Sequence, residues 1–556
     1  STLRQRRARG VAQPEQACAP RRRRCPATAM QQFATTSTHV NVLPDPLLNG
    51  AADKPAKPPL LTRLCPALSK GSTWGTAVNM CAAIMGAGSL SLPQAVASLG
   101  LVPFGILIVC TAIATHYSIV LLIAAIDATQ CKSFEDMSAL VIGSRTGHLV
   151  ELCIIIFQYG SLVAYTIAVG DVLRPLLGID AIHDVLPWLT TDLLQVFFWA
   201  CLMLPLSFVE NISSLQITSL IGQLSLLYLV VAVVVHSVVD ASIAPQHTFG
   251  AMRLFGPSLG PASSASAVIM FAFTCQVNIP SLYDELETRT PEGMTRVSWR
   301  ACSICVLVYI FIGIFGYANF PETTQGDILN NYCILEPSRS SYASDPPRVI
   351  TPAFAAIAIT VLMAYPINVF PTRVAIEFMC YPRAWLPKED MDLSLDSSAE
   401  ASGRHTETSG WARVRHVLLT LTIATVTLLT ALVRTPILYP SASRPACAVI
   451  VCDPADLHYS WPFRGVMCQA LPSIDTVFAL MGGTCSAFVC YIIPSAVAWQ
   501  LAERVPQNRT LLGRISVLSL GVFGALVGVL STTTTVIALL HADNTTFDAC
   551  SMHDAL

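Results

Sequence analysis

The apolar segment at residues 74–99 constrains the fold of this chain more than any other stretch. It is long enough to cross a bilayer whose hydrocarbon core is ~30 Å thick. Its middle carries the triplet Gly86-Ala87-Gly88, and Pro93 follows, and both features weaken a helix. Backbone left unpaired at membrane depth is tolerated only where it is buried in protein or lines a cavity. The segment therefore predicts a broken membrane helix, unless it is only kinked for close helix packing.

The composition is typical of an integral membrane protein. Of 556 residues, 53% are hydrophobic and 12% are charged, whereas soluble domains carry roughly 25% charged residues. Hydropathy predicts an all-α fold of about eleven transmembrane helices. The predicted spans are residues 74–99, 101–126, 149–173, 192–209, 214–239, 264–285, 299–320, 350–371, 415–434, 474–499 and 515–540. No segment between them has the ~100 residues of a usual soluble domain, and no catalytic motif is present, so we do not expect an enzyme.

The loops predict how the chain is oriented and divided. Lys and Arg are more frequent in the loops that a cytosolic amino terminus would place inside. Residues 1–70 are Arg-, Pro- and Ser-rich without apolar periodicity, which predicts a disordered cytosolic tail, with an organelle-targeting segment as the alternative. Residues 71–541 form the predicted transmembrane domain, with a flexible cytosolic loop near 381–414. Residues 542–556 are predicted to be a short non-cytosolic tail.

The cysteines predict no metal site or cofactor. Most of the nineteen cysteines lie singly in apolar spans, where they behave as small hydrophobic residues. Only Cys302 and Cys305 have CxxC spacing, and no second such pair accompanies them to complete a zinc site. Cys447, Cys452 and Cys468 lie in one predicted non-cytosolic loop, where a disulfide is expected but its pairing is left open.

Three further stretches combine polar residues, glycine or proline with apolar sequence. They are FAFTCQVNIPSLYDEL at residues 271–286, FGYANF at 315–320 and YPINVFPTR at 365–373. Together with residues 79–93, they resemble the amino acid/auxin permease family, which includes the sodium-coupled neutral and the vacuolar amino acid transporters. The first span is similar to that family's N-x6-G-x-G-x-L-x-L-P pattern, the sixth to F-x-C-(His)-x6-Y-x-E-L, and the eighth to (Y/V)-P-x4-P-x-R. The resemblance covers residues 72–540.

The resemblance implies a fold like that of the amino acid–polyamine–cation transporters. Ten helices would form two inverted five-span repeats with helices 1 and 6 broken, and an eleventh helix would be added. Broken spans in corresponding halves also indicate a substrate site near mid-membrane. The implied function is secondary active amino acid transport by alternating access, with the amino acid and the bilayer as partners, no nucleic acid, and a monomeric state. A non-transporting amino acid sensor of the same fold is the alternative. Either the plasma membrane or a vacuolar/lysosomal membrane is expected.

The candidate substrate site lies between the first and sixth spans. Freed N–H groups of Gly86, Ala87 and Gly88 would favour a carboxylate. Unpaired carbonyl groups near Phe271 and Thr274 could accept hydrogen bonds from an ammonium group, and Tyr165 of the third span is a candidate cap. The deep parts of spans one and six contain no acidic residue, which favours substrates with neutral side chains.

Three positions are candidates for the ion site. Sodium-coupled members of the resembled family carry an Asn directly before the Ala-Ile-x-Gly run, and a Thr one turn before the proline motif of span eight. Here Ala82 takes the first position, with Asn79 one turn earlier, and Thr360 is the nearest hydroxyl to the second. Because sodium needs several oxygen ligands, we predict proton coupling or exchange more readily than sodium coupling, with the ion itself left open. The sixth-span His of the family is Gln276 here.

A charged pair is the candidate gate. Glu285 and Arg373 lie at the predicted cytosolic ends of spans six and eight, where an ion pair could close the inner mouth. The alternative is that each anchors its helix at the lipid headgroups.

Overall fold

A computed structural model describes most of the predicted transmembrane domain. The described residues are 71–131, 133–176, 191–208, 216–243, 249, 252–331, 347–380, 410–438, 474–502 and 509–549. Residues 1–70, most of the loop near 381–414 and the three cysteines Cys447, Cys452 and Cys468 lie outside them. Within the described part, a helix begins at Gly410 and the last helix continues to Ala549, so both extend further than the sequence predicts.

A helix occupies each of the eleven predicted spans. Span 1 is Thr73–Ile84 with Leu92–Leu99, span 2 Leu101–Thr129, span 3 Ser144–Leu176, span 4 Leu193–Ser207, span 5 Gln216–Ile243, span 6 Leu259–Ala272 with Ile279–Asp284, span 7 Pro291–Asn319, span 8 Pro347–Cys380, span 9 Gly410–Leu438, span 10 Ile474–Met481 continuing through two π-helical turns to Ile493–Gln500, and span 11 Leu511–Ala549. In the described part of the chain, nine of these helices are long and apolar enough to cross a membrane, and span 1 makes ten as a bent pair. Span 4 is shorter.

Local sequence explains where these helices begin. The Ser72 side chain accepts a hydrogen bond from the Gly75 N–H and so caps span 1. Thr290 caps span 7 in the same way, with Pro291 in the first turn. In both broken spans a proline, Pro93 or Pro280, sits in the first turn of the second half-helix. A proline is tolerated there because the first N–H groups of a helix need no partner within it.

The packing of spans 1–5 recurs in spans 6–10. Span 3 packs against span 8, span 2 against span 7, and the outer half of span 1 against span 6. The contacts of span 5 with spans 1, 7 and 8 have counterparts in those of span 10 with spans 6, 2 and 3. Because each set has five spans, the second set starts on the opposite side of the membrane. The contact pattern is thus that of an inverted repeat, and span 11 lies outside it, against spans 6 and 10.

Candidate functional site

The first break follows Ile84 and lies at mid-span. Met85 and Gly86 are extended, and a 3₁₀ turn, Ala87–Ser91, leads into the outer half-helix. The two halves of the span are inclined by 58°. The N–H of Ser89 is the first in the turn to find a partner, the carbonyl of Gly86, at 3.1 Å. The preceding N–H groups, of Gly86, Ala87 and Gly88, therefore have no partner within the turn, as the sequence predicts.

The second break lies between Ala272 and Ile279. Residues 273–275 are non-helical, and the 3₁₀ turn Gln276–Asn278 precedes the inner half-helix. The prediction of unpaired carbonyl groups is wrong for two of them. The Phe271 carbonyl accepts from the Thr274 N–H at 3.1 Å, because the chain turns back tightly. The Ala272 carbonyl accepts from the Tyr309 hydroxyl at 2.8 Å.

Tyr309 of span 7 joins the two breaks. Its side chain is fully buried, and its hydroxyl also lies 3.0 Å from the carbonyl of Ile84. Ile84 ends the inner half-helix of span 1, and Ala272 ends the outer half-helix of span 6. One hydroxyl therefore lies within hydrogen-bond distance of the last carbonyl group of each of these two half-helices. Sequence reasoning missed this residue. The available signal was a tyrosine in the middle of an apolar span, since a buried phenol needs a partner.

A small cavity lies between the breaks. It brings together five of the six predicted substrate residues, and its lining contains no charged side chain. The space that a water-sized sphere can enter is about 30 Å³, room for about two water molecules. The free space in the central cavity is therefore much smaller than an amino acid. Its lining is Ala83, Ile84, Gly86, Gly88, Phe157, Gln158, Ser161, Tyr165, Phe271, Ala272, Thr274, Cys275, Val277, Asn278 and Asn368.

Two glycines allow the close approach of neighbouring side chains at the first break. A Cβ at Gly86 would clash with the Tyr165 hydroxyl, which places that predicted cap directly beside the break. A Cβ at Gly88 would lie 3.1 Å from Phe271 Cδ1 and 3.3 Å from Ala272 Cα. The two broken spans thus touch where the cavity is narrowest.

An aromatic stack forms one wall of the central cavity. The Phe271 ring lies 4.3 Å from that of Phe478 in span 10, nearly parallel, and 5.2 Å from that of Phe157 in span 3. The three rings belong to three different spans, and Phe271 is buried. The stack therefore ties spans 3, 6 and 10 together at the cavity.

The predicted ion-site positions do not meet at one point. Ala82 packs against Ile367 of span 8, and Thr360 lies seven residues earlier, about 10 Å along the helix at 1.5 Å per residue. The Thr360 hydroxyl lies 3.0 Å from the carbonyls of Ala356 and Gly222. Asn79 has a buried side-chain oxygen with no hydrogen-bond partner among the described residues. Their role in ion binding stays a prediction.

The two predicted gate residues contact different parts of the protein. Arg373 is buried and lies 3.3 Å from both His416 Nε2 and Thr420 Oγ1 of span 9. Glu285 lies beside the start of span 1, where its carbonyl oxygen is 3.1 Å from a Cβ built on Gly71. Neither observation tests an ion pair between them, so the gate stays a prediction.

A polar network closes the inner ends of spans 2 and 6. The Tyr283 hydroxyl donates to the Asp127 carboxylate at 3.0 Å. Arg289 lies over the Tyr283 ring, 4.8 Å from its centre, and pairs with Asp284 at 3.1 Å. Tyr283 and Asp284 end the inner half-helix of span 6, so the network ties this half-helix to span 2 and to the loop that follows it. Moving that half-helix would therefore disturb the whole network.

A close pair of His236 and Asp240 lies near the end of span 5. His236 Nδ1 is 3.1 Å from Asp240 Oδ2, and the two side chains are 16% and 4% exposed. The sequence shows both residues, but their burial depends on the helices that pack around span 5.

Glu135 is a second buried carboxyl, outside the spans. It lies on a short helix, Phe134–Val141, which packs against span 3, and is 6% exposed. Burial raises the pKa of Glu135 to about 7, with a smaller contribution from the neighbouring Asp136 charge. This carboxyl therefore changes its charge near neutral pH.

Comparison with known proteins identifies relatives over most of the chain. The sequence profile described as "Transmembrane amino acid transporter protein" matches residues 69–438. The chain is 25% identical to Vacuolar amino acid transporter 6 of Saccharomyces cerevisiae, over 75% of this chain and 87% of that protein. It is 29% identical to Amino acid transporter AVT6E of Arabidopsis thaliana, over 47% of this chain, and the match spans 54% of that relative's length.

Solved structures also match the chain. MhsT in complex with L-phenylalanine aligns over 84% of this chain and 99% of its own, with 11% identity and a TM-score of 0.47.

Proposed function

The chain belongs to the transmembrane amino acid transporter family, and we propose that it moves amino acids with neutral side chains by alternating access, coupled to protons rather than sodium. The family assignment makes it a multi-pass membrane transporter and not an enzyme. The substrate class, the coupling ion and the membrane are our proposals.

The charge-free cavity between the two breaks carries the proposal. A zwitterion brings one carboxylate and one ammonium group, and each needs hydrogen bonds but no buried counter-ion. The N–H groups at the start of the turn Ala87–Ser91 suit the carboxylate. Carbonyl and amide oxygens, such as those of Gln158 and Asn368, suit the ammonium. A substrate with a charged side chain would lack a partner in this lining, which favours neutral side chains.

The contacts on two sides of the central cavity support alternating access. The aromatic stack at Phe271 bounds the cavity on one side, and the network at Tyr283 ties the inner half-helix on the other. The breaks at Gly86 and Phe273 leave the half-helices without a continuous helical connection. We therefore expect each half-helix to tilt separately, opening the cavity to one side at a time.

The proposal of proton coupling rests on the small number of oxygen ligands available for sodium and on the His236–Asp240 pair. Ala82 offers no side-chain oxygen, and the Thr360 hydroxyl is engaged with two carbonyls. A sodium site built from these positions would have few ligands, whereas a proton needs only one titratable group. The His236–Asp240 pair supplies such a group within span 5. A relative named as a vacuolar transporter favours a vacuolar or lysosomal membrane, where a proton gradient is available.

Uptake into proteoliposomes tests the proposal. The purified full chain would be reconstituted and supplied with labelled L-alanine, L-glutamine, L-leucine, L-glutamate or L-lysine, under an imposed proton or sodium gradient. We expect accumulation of the three neutral amino acids that a proton gradient drives and a sodium gradient does not. Empty liposomes provide the background.

Three other outcomes would change the conclusion. Sodium-driven accumulation would overturn the coupling ion and return Asn79 and Thr360 to consideration as ligands. Preferred uptake of L-lysine or L-glutamate would overturn the substrate class. Binding of an amino acid without any uptake or exchange would favour the sensor that the sequence left as an alternative.

A further inference from the structure

A pair of thiol groups joins spans 3 and 10 outside the central cavity. The thiol groups of Cys153 in span 3 and Cys485 in span 10 are in direct contact. Cys485 belongs to the first π-helical turn of span 10, Gly482–Ser486. Both cysteines are free thiols, and neither lines the central cavity. The proposed transport of an amino acid therefore assigns them no role.

Spans 3 and 10 approach each other closely on the helix faces that carry this pair. Gly160 lies seven residues, or about two turns, after Cys153, and Met481 lies four residues, or about one turn, before Cys485. A Cβ built on Gly160 would clash with the sulfur atom of Met481, so the glycine is what allows this approach. The two thiols are therefore held together by the packing of their helices.

One of the two thiols lies on a face of span 3 that is open to lipid. Leu149, Leu152 and Ile156 are exposed apolar side chains of this span, and Cys153 lies on the same helix face. Cys153 is half-buried, whereas Cys485 is buried. A reactive molecule dissolved in the bilayer therefore meets the Cys153 sulfur first, with the Cys485 sulfur directly behind it.

A second thiol pair differs from the first in its burial. The thiol groups of Cys81 in span 1 and Cys305 in span 7 are also in contact, but these residues are 4% and 0% exposed. Oxidation of a cysteine requires access to its sulfur. Burial therefore protects Cys81 and Cys305, whereas Cys153 is accessible.

A covalent bond between spans 3 and 10 would restrict the outer half-helix of span 6. A Cβ at Gly482, three residues before Cys485, would clash with the carbonyl group of Ala267 in that half-helix. The π-helical turn of span 10 therefore packs directly on the backbone of span 6. Since span 3 packs against span 8, a disulfide between Cys153 and Cys485 would hold this half-helix in place relative to spans 3 and 8.

We propose that Cys153 and Cys485 form a redox modification site, at which a hydroperoxide oxidises the two thiols to a disulfide that stops transport. The Cys153 sulfur attacks the terminal oxygen of the hydroperoxide and breaks the O–O bond; the thiol proton leaves with the released alcohol, and a sulfenic acid forms. The Cys485 sulfur then forms the S–S bond, and its proton leaves with the hydroxyl group as water. The two thiols lose two electrons in total, which the hydroperoxide gains. The effect on transport rests on the proposed function, but the formation of the disulfide does not.

Uptake and thiol mapping on the same proteoliposomes test this site. The reduced full chain would be reconstituted and treated with cumene hydroperoxide, which dissolves in the bilayer, or with hydrogen peroxide, which stays mainly in water. Uptake of labelled L-alanine, L-glutamine and L-leucine would be measured before treatment, after it, and after reduction with dithiothreitol. Differential alkylation with mass spectrometry would report which cysteines are paired.

Four variants separate this pair from the other cysteines. Cys153→Ala and Cys485→Ala each remove one thiol of the pair. The control Cys110→Ala removes an exposed cysteine of span 2, and the control Cys305→Ala removes one thiol of the buried pair. If Cys485→Ala does not fold, Cys153→Ala decides, because its side chain is half-buried and its loss leaves no enclosed space.

We expect a Cys153–Cys485 disulfide in the treated wild type, with uptake that falls about tenfold, because alternating access requires the half-helices to move, and that recovers on reduction. Uptake by Cys153→Ala and Cys485→Ala should resist the oxidant, whereas Cys110→Ala and Cys305→Ala should respond as the wild type does. A lower effective concentration of cumene hydroperoxide than of hydrogen peroxide would identify the bilayer as the source of the oxidant, and the reverse would identify the water phase.

Three results would overturn parts of this inference. The absence of a Cys153–Cys485 disulfide after treatment overturns the modification site. A disulfide that leaves uptake unchanged overturns its effect on transport and leaves the proposed function standing. If the reduced protein moves no amino acid, the proposed function fails, while the thiol mapping still decides whether the disulfide forms.

Discussion

Replacing Tyr309 by phenylalanine isolates the hydrogen bonds that join the two breaks. The ring is retained, so its edge-on contact with Phe273, at 5.2 Å between ring centres, survives. What is lost is one hydroxyl that lies 3.0 Å from the Ile84 carbonyl and 2.8 Å from the Ala272 carbonyl. A hydroxyl donates one hydrogen at a time, so the loss is one hydrogen bond shared between two buried acceptors.

The expected destabilisation follows from that arrangement. A buried carbonyl left without its donor costs about 1–3 kcal/mol. A change of 1 kcal/mol shifts Tm by about 2–4 °C in a domain of 150–250 residues, and by less in a longer chain. We therefore expect the Tm of Tyr309→Phe in detergent to fall by a few degrees. Because the hydroxyl holds the ends of both half-helices beside the central cavity, we also expect the KM for uptake to rise.

Tyr491→Phe is the matched control. Tyr491 is also fully buried, but its hydroxyl pairs with Thr115 Oγ1 of span 2, at 3.0 Å, rather than with a carbonyl group at a break. Its loss should lower the Tm without raising the KM. The reasoning is refuted if Tyr309→Phe leaves both Tm and KM at wild-type values, or if the two variants change KM equally.

Three further changes have defined outcomes. Gly88→Ala should lower uptake at least tenfold, because its Cβ would press on Phe271 and the backbone beside it. The control Gly105→Ala should leave uptake unchanged, because its Cβ would meet nothing within 4 Å. Equal uptake by the two variants would contradict the argument that Gly88 is needed for the close approach of Phe271. Asp240→Asn should abolish proton-driven accumulation in proteoliposomes but keep amino acid exchange, and retained accumulation would exclude this pair as the proton site. The pKa of Glu135 is raised from 4.5 to about 7, so its contribution to stability is complete below about pH 4.5 and is lost as pH rises through about 7. The loss is at most about 3.4 kcal/mol at 1.36 kcal/mol per pKa unit. Tm scans of Glu135→Gln should lack this pH dependence, and a slope equal to that of the wild type would argue against it.

The helices and the two breaks could be predicted from sequence because their causes are local. A run of apolar residues long enough for the bilayer fixes a span wherever it occurs. Gly86 and Gly88 with Pro93, and Pro280 in span 6, interrupt helices by their own backbone properties. The residues around these interruptions, including Tyr165, could therefore be named as the lining of a site.

The hydrogen bonds of the breaks could not be predicted in the same way. The sequence predicts free carbonyls near Phe271, but a tight turn and Tyr309 of span 7 pair two of them. The partner of a buried carbonyl depends on which distant helix packs against it. Tyr309 and Ala272 are 37 positions apart, and Tyr309 and Ile84 are 225 positions apart, so no local pattern relates them.

The sequence by itself determined that this chain is an all-helical membrane protein with breaks in its first and sixth spans, because hydrophobic length and backbone flexibility act within a few residues. Only the tertiary structure decided how the half-helices meet and how small the central cavity is. Those features arise from side chains on different spans, such as Phe271 and Phe478. Their distances are set by packing between helices, which the order of residues along any one span does not encode.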